Sequence, residues 1–271
     1  MNTLKVKDMV LQPGRPKVVV PIIGTDPEGI VKECEEAKKL PCDIIEWRAD
    51  YYLAAMDNID EKLKSKDTYL ELVKILDDIN YIAESMPVIF TVRRKAQGGQ
   101  VETTKEQNES IFSLVAESGL ADFIDIEFFD ENDTVDEPRL REKIDEIHSC
   151  GARVILSYHD FKGMPKPEEL INLVKYMYSL NADICKVAAM AYSKEDAENL
   201  LKASAFLSKN NIGPIAMMAM GELGKPTRVA AGRYGSCITF AAGSGQSAPG
   251  QPDVYTMKEW LDSYYGKEEE R

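Results

Sequence analysis

Eight short apolar runs recur along the chain, with helix-patterned segments between them. This alternation restricts the fold more than any other feature of the sequence. The runs are KVVVPII (17–23), CDIIEWR (42–48), PVIFTVR (87–93), DFIDIEF (122–128), ARVILSY (152–158), DICKVAA (183–189), GPIAMMAM (213–220) and SCITFAA (236–242). Each is nearly continuously hydrophobic and rich in β-branched residues, as parallel strands covered on both faces are. Between them, TDPEGIVKECEEAKKL (25–40) has helical apolar spacing behind a capping Thr25 or Asp26, with Pro27 near the first turn. TKEQNESIFSLVAESG (104–119) and PRLREKIDEIHSCG (138–151) end in glycines that suit a helix C-terminus. KPEELINLVKYMYSL (166–180) and SKEDAENLLKASAFLSKN (193–210) follow the same template, and SKED is close to a capping box.

Eight strand–helix units with no break in composition predict one (β/α)8 TIM barrel over residues 1–271, a single α/β domain. A doubly wound open sheet is the rival arrangement of the same elements. The length of 271 residues suits the barrel, which typically needs ~250.

The net charge of −13 argues against nucleic acid and anionic membrane surfaces as partners. A small anionic substrate stays open, because clustered arginines reverse the field inside a cleft. No apolar run reaches the ~18 residues of a membrane span, and MNTLKVKDMVLQPGRPK lacks a signal-peptide core. The five cysteines (Cys34, Cys42, Cys150, Cys185 and Cys237) are odd in number and form no C-x-x-C pair. With two distant histidines, they suggest neither a disulfide framework nor a zinc site, and they point to a reducing cytoplasm.

Within ADICKVAAMA (182–191), Lys186 interrupts what is otherwise a buried strand. A charged ammonium there is costly unless it is paired or its pKa shifts. Alternation places Lys186 on one face with Ile184 and Ala188, a face that can point into the barrel. An inward lysine among apolar neighbours should have a depressed pKa, and a neutral amine condenses with ketones to an imine. The competing reading is a structural lysine paired with Asp125 or Glu127, and spacing leaves both open.

Barrel active sites lie at the C-terminal ends of the strands. The polar residues expected there are Glu46 and Arg48, Arg93 and Arg94, Asp125 and Glu127, then His159 in SYHDF (157–161) after the fifth strand, and Lys186. His159 beside a lysine on the neighbouring strand suits proton transfer; the alternative is a loop histidine bonded to backbone. His148 falls in a helix. Arg48, Arg93 and Arg228 reach the same barrel end and can grip a carboxylate, with Glu46–Arg48 the pair expected to be structural. FAAGSGQSAPGQPD (240–253) follows the eighth strand, and reads as a phosphate loop, a lid over about 243–252 or a plain flexible loop.

Several of these stretches together resemble the type I 3-dehydroquinate dehydratases. They are EWRAD (46–50), FTVRRKAQGG (90–99), SYHDF, the CK of DICKVAAMA, GKPTRVAAGRYGS (224–236) and SAPGQ (247–251). The resemblance implies a barrel, usually dimeric, with no metal or cofactor, that eliminates water from 3-dehydroquinate. It implies that Lys186 forms the imine at C3 and His159 is the general acid/base. It also implies that Arg228 holds the substrate carboxylate, that Ser247 and Gln251 belong to the lid, and that Glu46, Arg48 and Arg93 read the ring hydroxyls. One departure stands out. The family carries a glutamate, partner of the catalytic histidine, where this chain has Gln97, and Gln100 likewise replaces a common acidic residue. An amide can orient an imidazole but not stabilise its cation, so His159 is expected to have a lowered pKa unless Asp125 or Glu127 substitutes. A class I aldolase and a non-catalytic metabolite binder are the competing functions.

Overall fold

A computed structural model describes residues 2–130 and 134–267. After an antiparallel hairpin, β1 (Leu4–Val6) and β2 (Met9–Leu11), come the eight barrel strands. They are β3 (Lys17–Ile22), β4 (Ile44–Arg48), β5 (Val88–Thr91), β6 (Phe123–Glu127), β7 (Arg153–Asp160), β8 (Ile184–Met190), β9 (Ile215–Met220) and β10 (Ile238–Phe240). All neighbours pair in parallel, in the order β10-β3-β4-β5-β6-β7-β8-β9. The seam between β9 and β10 closes through a parallel bridge from Ile215 to Ser236, with Cys237 N donating to Ile215 O at 2.8 Å. The barrel, rather than the open sheet, is therefore the arrangement adopted.

The helices are α1 (Pro27–Ala37), α2 (Ala49–Ala54), α3 (Ile59–Lys62), α4 (Lys66–Ala83), α5 (Lys105–Ser118), α6 (Glu137–Ser149), α7 (Pro167–Ser179), α8 (Lys194–Lys209), α9 (Lys225–Ala230) and α10 (Val254–Tyr265). Their ends follow local chemistry. Asp26 caps α1, with Pro27 at its start. Thr104 and Gln107 close a capping box on α5, and Gly119 ends that helix at φ +67°. Ser193 and Asp196 make the capping box of α8.

Strand alternation divides the core in two. Val19, Ile44, Ile89, Phe123, Ile155 and Ile184 point into the barrel, whereas Val20, Ile45, Phe90, Ile124, Val154 and Cys185 lie under the helices. Val6 and Leu11 of the hairpin join the interior cluster, and Arg153 from the start of β7 donates to Lys5 O at 2.7 Å. The hairpin thus packs at the end of the barrel away from the strand C-termini. It was not legible in the sequence reading, and neither were α2–α4.

Candidate active site

Ala188 and Ile184 lie in the interior cluster, so Lys186 between them enters the barrel. Its register partner on β7 is Ser157. His159 lies two residues further along the same face of β7, one pleat closer to the mouth. The strand runs on to Asp160, so His159 belongs to the strand rather than the loop beyond it.

The surroundings of Lys186 are not apolar, contrary to the sequence expectation. Its Nζ donates to Asp125 Oδ2 at 3.0 Å, lies 3.8 Å from Glu46 Oε1, and sits 4.4 Å from the centre of the Phe240 ring. The contact foreseen for a structural lysine therefore exists with Asp125, while Glu127 is engaged elsewhere. Asp125 Oδ1 accepts from Arg93 Nη2 at 2.8 Å and Ser157 Oγ at 2.5 Å. Arg93 Nη1 also donates to Ser157 Oγ at 2.8 Å. Burial opposes ionisation of Asp125, but Arg93, Lys186 and Ser157 outweigh it and hold the carboxyl well below the usual range. Glu127 accepts from Arg94 Nε at 2.5 Å and from the Arg94 main chain at 2.8 Å. Burial pushes its carboxyl up, against the pull of Arg93 and Arg94.

Three expectations need correction. The structural pair is not Glu46–Arg48. Arg48 makes a bidentate pair with Asp50 at 2.7 and 2.8 Å, and Glu46 accepts from Thr91 Oγ1 at 2.9 Å. The side chains of Arg48 and Glu46 are two residues apart on one strand face, but Asp50 meets the guanidinium fork edge-on. Next, Gln97 does not orient the imidazole of His159. Its Oε1 accepts from the His159 main-chain nitrogen at 2.7 Å. Finally, neither Asp125 nor Glu127 substitutes as a hydrogen-bond partner, because both are consumed by arginines. The buried Nδ1 of His159 has no partner among the described residues. Burial, followed by the nearby charges of Arg93 and Lys186, pushes the His159 pKa well below its ordinary value, and Asp125 pulls only weakly the other way.

These side chains enclose a cavity of about 480 Å³. Glu46, Arg48, Arg93, Gln97, His159 and Lys186 line it. Arg228, Ser247 and Gln251 also line it, with Met218, Met220 and Phe161. Nine of the residues singled out in the sequence thus line one cavity, whereas Asp125 does not, and Arg94 and Glu127 line a second cavity. Arg228, on α9, is 2 % exposed and has no carboxylate partner among the described residues. Its Nη2 donates to Pro249 O at 3.1 Å, its Nη1 lies 3.6 Å from the Met218 sulfur, and its Nε is buried without a partner. Burial lowers its pKa to about 10. Such an arginine lacks an anion. The 243–252 segment lies across the mouth: Arg48 Nη1 reaches Ser247 O at 3.5 Å, and Gln251 Oε1 accepts from Ser247 N at 2.8 Å. A second cavity, about 570 Å³, lies outside the barrel and is lined by Phe112, Phe128 and Lys143. It holds neither Lys186 nor His159.

A family model described as Type I 3-dehydroquinase matches residues 18–268. The chain belongs to the type I 3-dehydroquinase family. It is similar to the 3-dehydroquinate dehydratase of Clostridium kluyveri, 36% identical over 267 residues, covering 97% of this chain and 99% of that one. It is also similar to that of Listeria welshimeri, 33% identical over 265 residues, 97% and 98% covered. Among solved structures, the 3-dehydroquinate dehydratase of Geobacillus kaustophilus matches with a TM-score of 0.86 at 28% identity, 98% of each chain covered. The type I enzyme of Clostridium difficile, solved with covalently modified comenic acid, matches at 0.86 and 30%, with 97% and 98% covered. As a type I 3-dehydroquinase the chain is a hydro-lyase of the 3-dehydroquinate dehydratase kind.

Within this 3-dehydroquinase, sequence reasoning missed Asp50, Thr91, Ser157 and Phe240. Asp50 stands two residues after Arg48 in EWRAD, and its Oδ2 also accepts from Gln100 N at 3.0 Å, tying the first turn of α2 to the residue that follows Gly99. Thr91 and Ser157 precede Arg93 and His159 by two residues, so strand alternation would have found both.

Proposed function

We propose that this chain converts 3-dehydroquinate to 3-dehydroshikimate through an imine between Lys186 and the substrate C3 ketone. The imine draws electrons from C2 and acidifies its proton. His159, neutral at rest, accepts that proton and returns one to the departing C1 hydroxyl, so water leaves and His159 is neutral again. Arg228 holds the substrate carboxylate, and the Ser247–Gln251 segment covers it. Arg48 and Arg93, with Glu46, read the ring hydroxyls. The observation that carries this reading is the placement of Lys186 and His159, one pleat apart on adjacent strands, in a cavity that is also lined by an arginine with no carboxylate partner among the described residues.

The setting proposed is the shikimate pathway and aromatic amino-acid biosynthesis, with no cofactor, in a homodimer within a reducing cytoplasm. Its support is the family membership and five cysteines that are all free thiols. Gln97 favours a second reading, a metabolite binder with weak turnover, because no carboxylate backs His159.

Borohydride trapping tests both. The protein is incubated with 3-dehydroquinate and reduced, and the modified peptide is weighed. A product-mass adduct on Lys186 supports the dehydratase mechanism. A substrate-mass adduct supports the binder, with imine formed and elimination blocked. No adduct overturns the imine.

A further inference from the structure

Imine formation needs a proton carrier. A lysine ammonium must lose a proton before its lone pair can attack the C3 carbonyl. The ketone oxygen must then gain two protons to leave as water. These are two of the three ammonium protons, and the iminium nitrogen keeps the third. No net proton enters or leaves, so one group beside Nζ that accepts protons and hands them on, inside the cavity where the oxygen is, can serve the whole step.

Asp125 is nearest to Nζ but poorly suited. Its Oδ1 is taken by Arg93 and Ser157, its Oδ2 by Lys186, and it does not line the cavity. The positive clamp keeps it ionised. Gln97 lines the cavity but its amide carries no exchangeable acid–base function at neutral pH. His159 lies one pleat nearer the mouth and is used at C2 and C1. Among the described residues, Glu46 is the one carboxylate on the cavity wall. Its Oε1 accepts from Thr91 at 2.9 Å and faces Lys186 Nζ at 3.8 Å, and Oε2 makes no hydrogen bond to a described residue.

We propose, resting on imine formation at Lys186, that Glu46 is a catalytic residue and the proton shuttle for that step. Glu46 carboxylate takes one proton from Nζ; the N–C3 bond forms as the C3–O π bond breaks; Glu46 delivers the proton to the oxygen. A second cycle moves another N–H proton to the carbinolamine hydroxyl, the C3–O bond breaks, and water departs. Glu46 ends as it began. Asp125 holds the lysine in place without taking its proton.

The test uses rapid-quench borohydride trapping of wild type and Glu46→Gln with 3-dehydroquinate, read as the rate of Lys186 adduct formation against pH. Binding of the C3-alcohol analogue, which has no ketone, is measured by calorimetry. A shuttle is worth ~10²–10⁴-fold. Glu46→Gln is therefore expected to slow trapping at least ~10²-fold, with a rate that climbs with pH as solvent takes the lysine proton, while analogue affinity falls by no more than about tenfold, the loss of one charged bond to a ring hydroxyl. Glu46→Ala is expected to regain rate with added formate. Equal trapping rates in wild type and Glu46→Gln would overturn the shuttle. So would analogue affinity falling in step with the rate, which would make Glu46 a hydroxyl reader only. A wild type that gives no adduct at any time refutes the imine itself, and the shuttle with it.

Discussion

Gln97 accepts a hydrogen bond from the main-chain nitrogen of His159 at 2.7 Å and leaves the buried Nδ1 of that histidine without a partner among the described residues. The amide thus fixes the end of β7 rather than the imidazole. With cations from Arg93 and Lys186 nearby and no carboxylate bonded to it, the ring is held in its neutral form. A neutral ring is a competent base at rest. Its weakness is the protonated state it must pass through, which nothing on the Gln97 side stabilises.

Gln97→Glu places a carboxylate where the amide oxygen now lies. Its charge favours the imidazolium, so the His159 pKa rises. A general base acts when deprotonated, so the acid limb of kcat/KM is expected to move to higher pH. The plateau rate is expected to increase by about tenfold, a fraction of the ~10²–10⁴-fold that a well-matched base supplies in full. Steady-state rates from pH 4.5 to 8.5 check this, and superimposable profiles would remove Gln97 from the account.

The same depressed pKa has a consequence for stability. Folded His159 binds its proton only well below the value of about 6.5 that applies when unfolded. Between those two values the unfolded chain carries one more proton than the folded one. Stability is therefore intact above about pH 6.5 and falls as pH drops below it, by at most about 1.4 kcal/mol per pH unit from this group. His159→Gln removes this slope, while His148, paired with Asp183 at 2.7 Å, is common to both proteins. Urea unfolding at pH 7 and pH 5.5 is expected to show a smaller loss in the variant. Identical losses would show that His159 is not the group concerned.

The barrel was legible because its determinants are local. Near-continuous β-branched runs, capping residues such as Ser193 and terminal glycines such as Gly119 each declare an element without reference to its neighbours. Lys186 and His159 were legible for the related reason that polar residues at strand ends stand out from apolar runs. Partnerships were not. Asp50 rather than Glu46 takes Arg48, and Gln97 reaches backbone rather than ring, because hydrogen-bond geometry across loops decides them. The hairpin β1–β2 escaped because three-residue strands carry too few positions for a period to show.

Arg228 sets substrate affinity against stability. Its guanidinium is buried, its Nε lacks a partner, and no described carboxylate answers its charge. An uncompensated buried cation is destabilising, and an apolar replacement of similar length relieves that cost. Arg228→Met is expected to raise Tm by a few degrees. The same change removes the charge-assisted grip proposed for the substrate carboxylate, so KM is expected to rise ~100-fold with a smaller change in kcat. Calorimetry beside steady-state kinetics reads both. A lowered Tm with unchanged KM would place Arg228 in the framework instead.

Gly250 decides how the covering segment docks. Its φ is +74°, and a Cβ there would lie 2.6 Å from Gly221 O, in the turn after β9. Gly221 N in turn donates to Pro249 O at 3.4 Å, and Pro249 O also takes Arg228. The close approach of these two backbones therefore holds the loop against Arg228, the residue proposed to hold the substrate carboxylate. Gly250→Ala combines left-handed strain of roughly 1–2 kcal/mol with a main-chain clash, so the segment has to lift. Because it closes over the cavity mouth and packs little of the core, Tm is expected to change by less than ~2 °C. KM is expected to rise roughly tenfold, and proteolysis within residues 243–252 to become faster. If KM and cleavage rate both match wild type, the docked loop contributes nothing to binding, and the grip on the substrate lies with Arg228 alone.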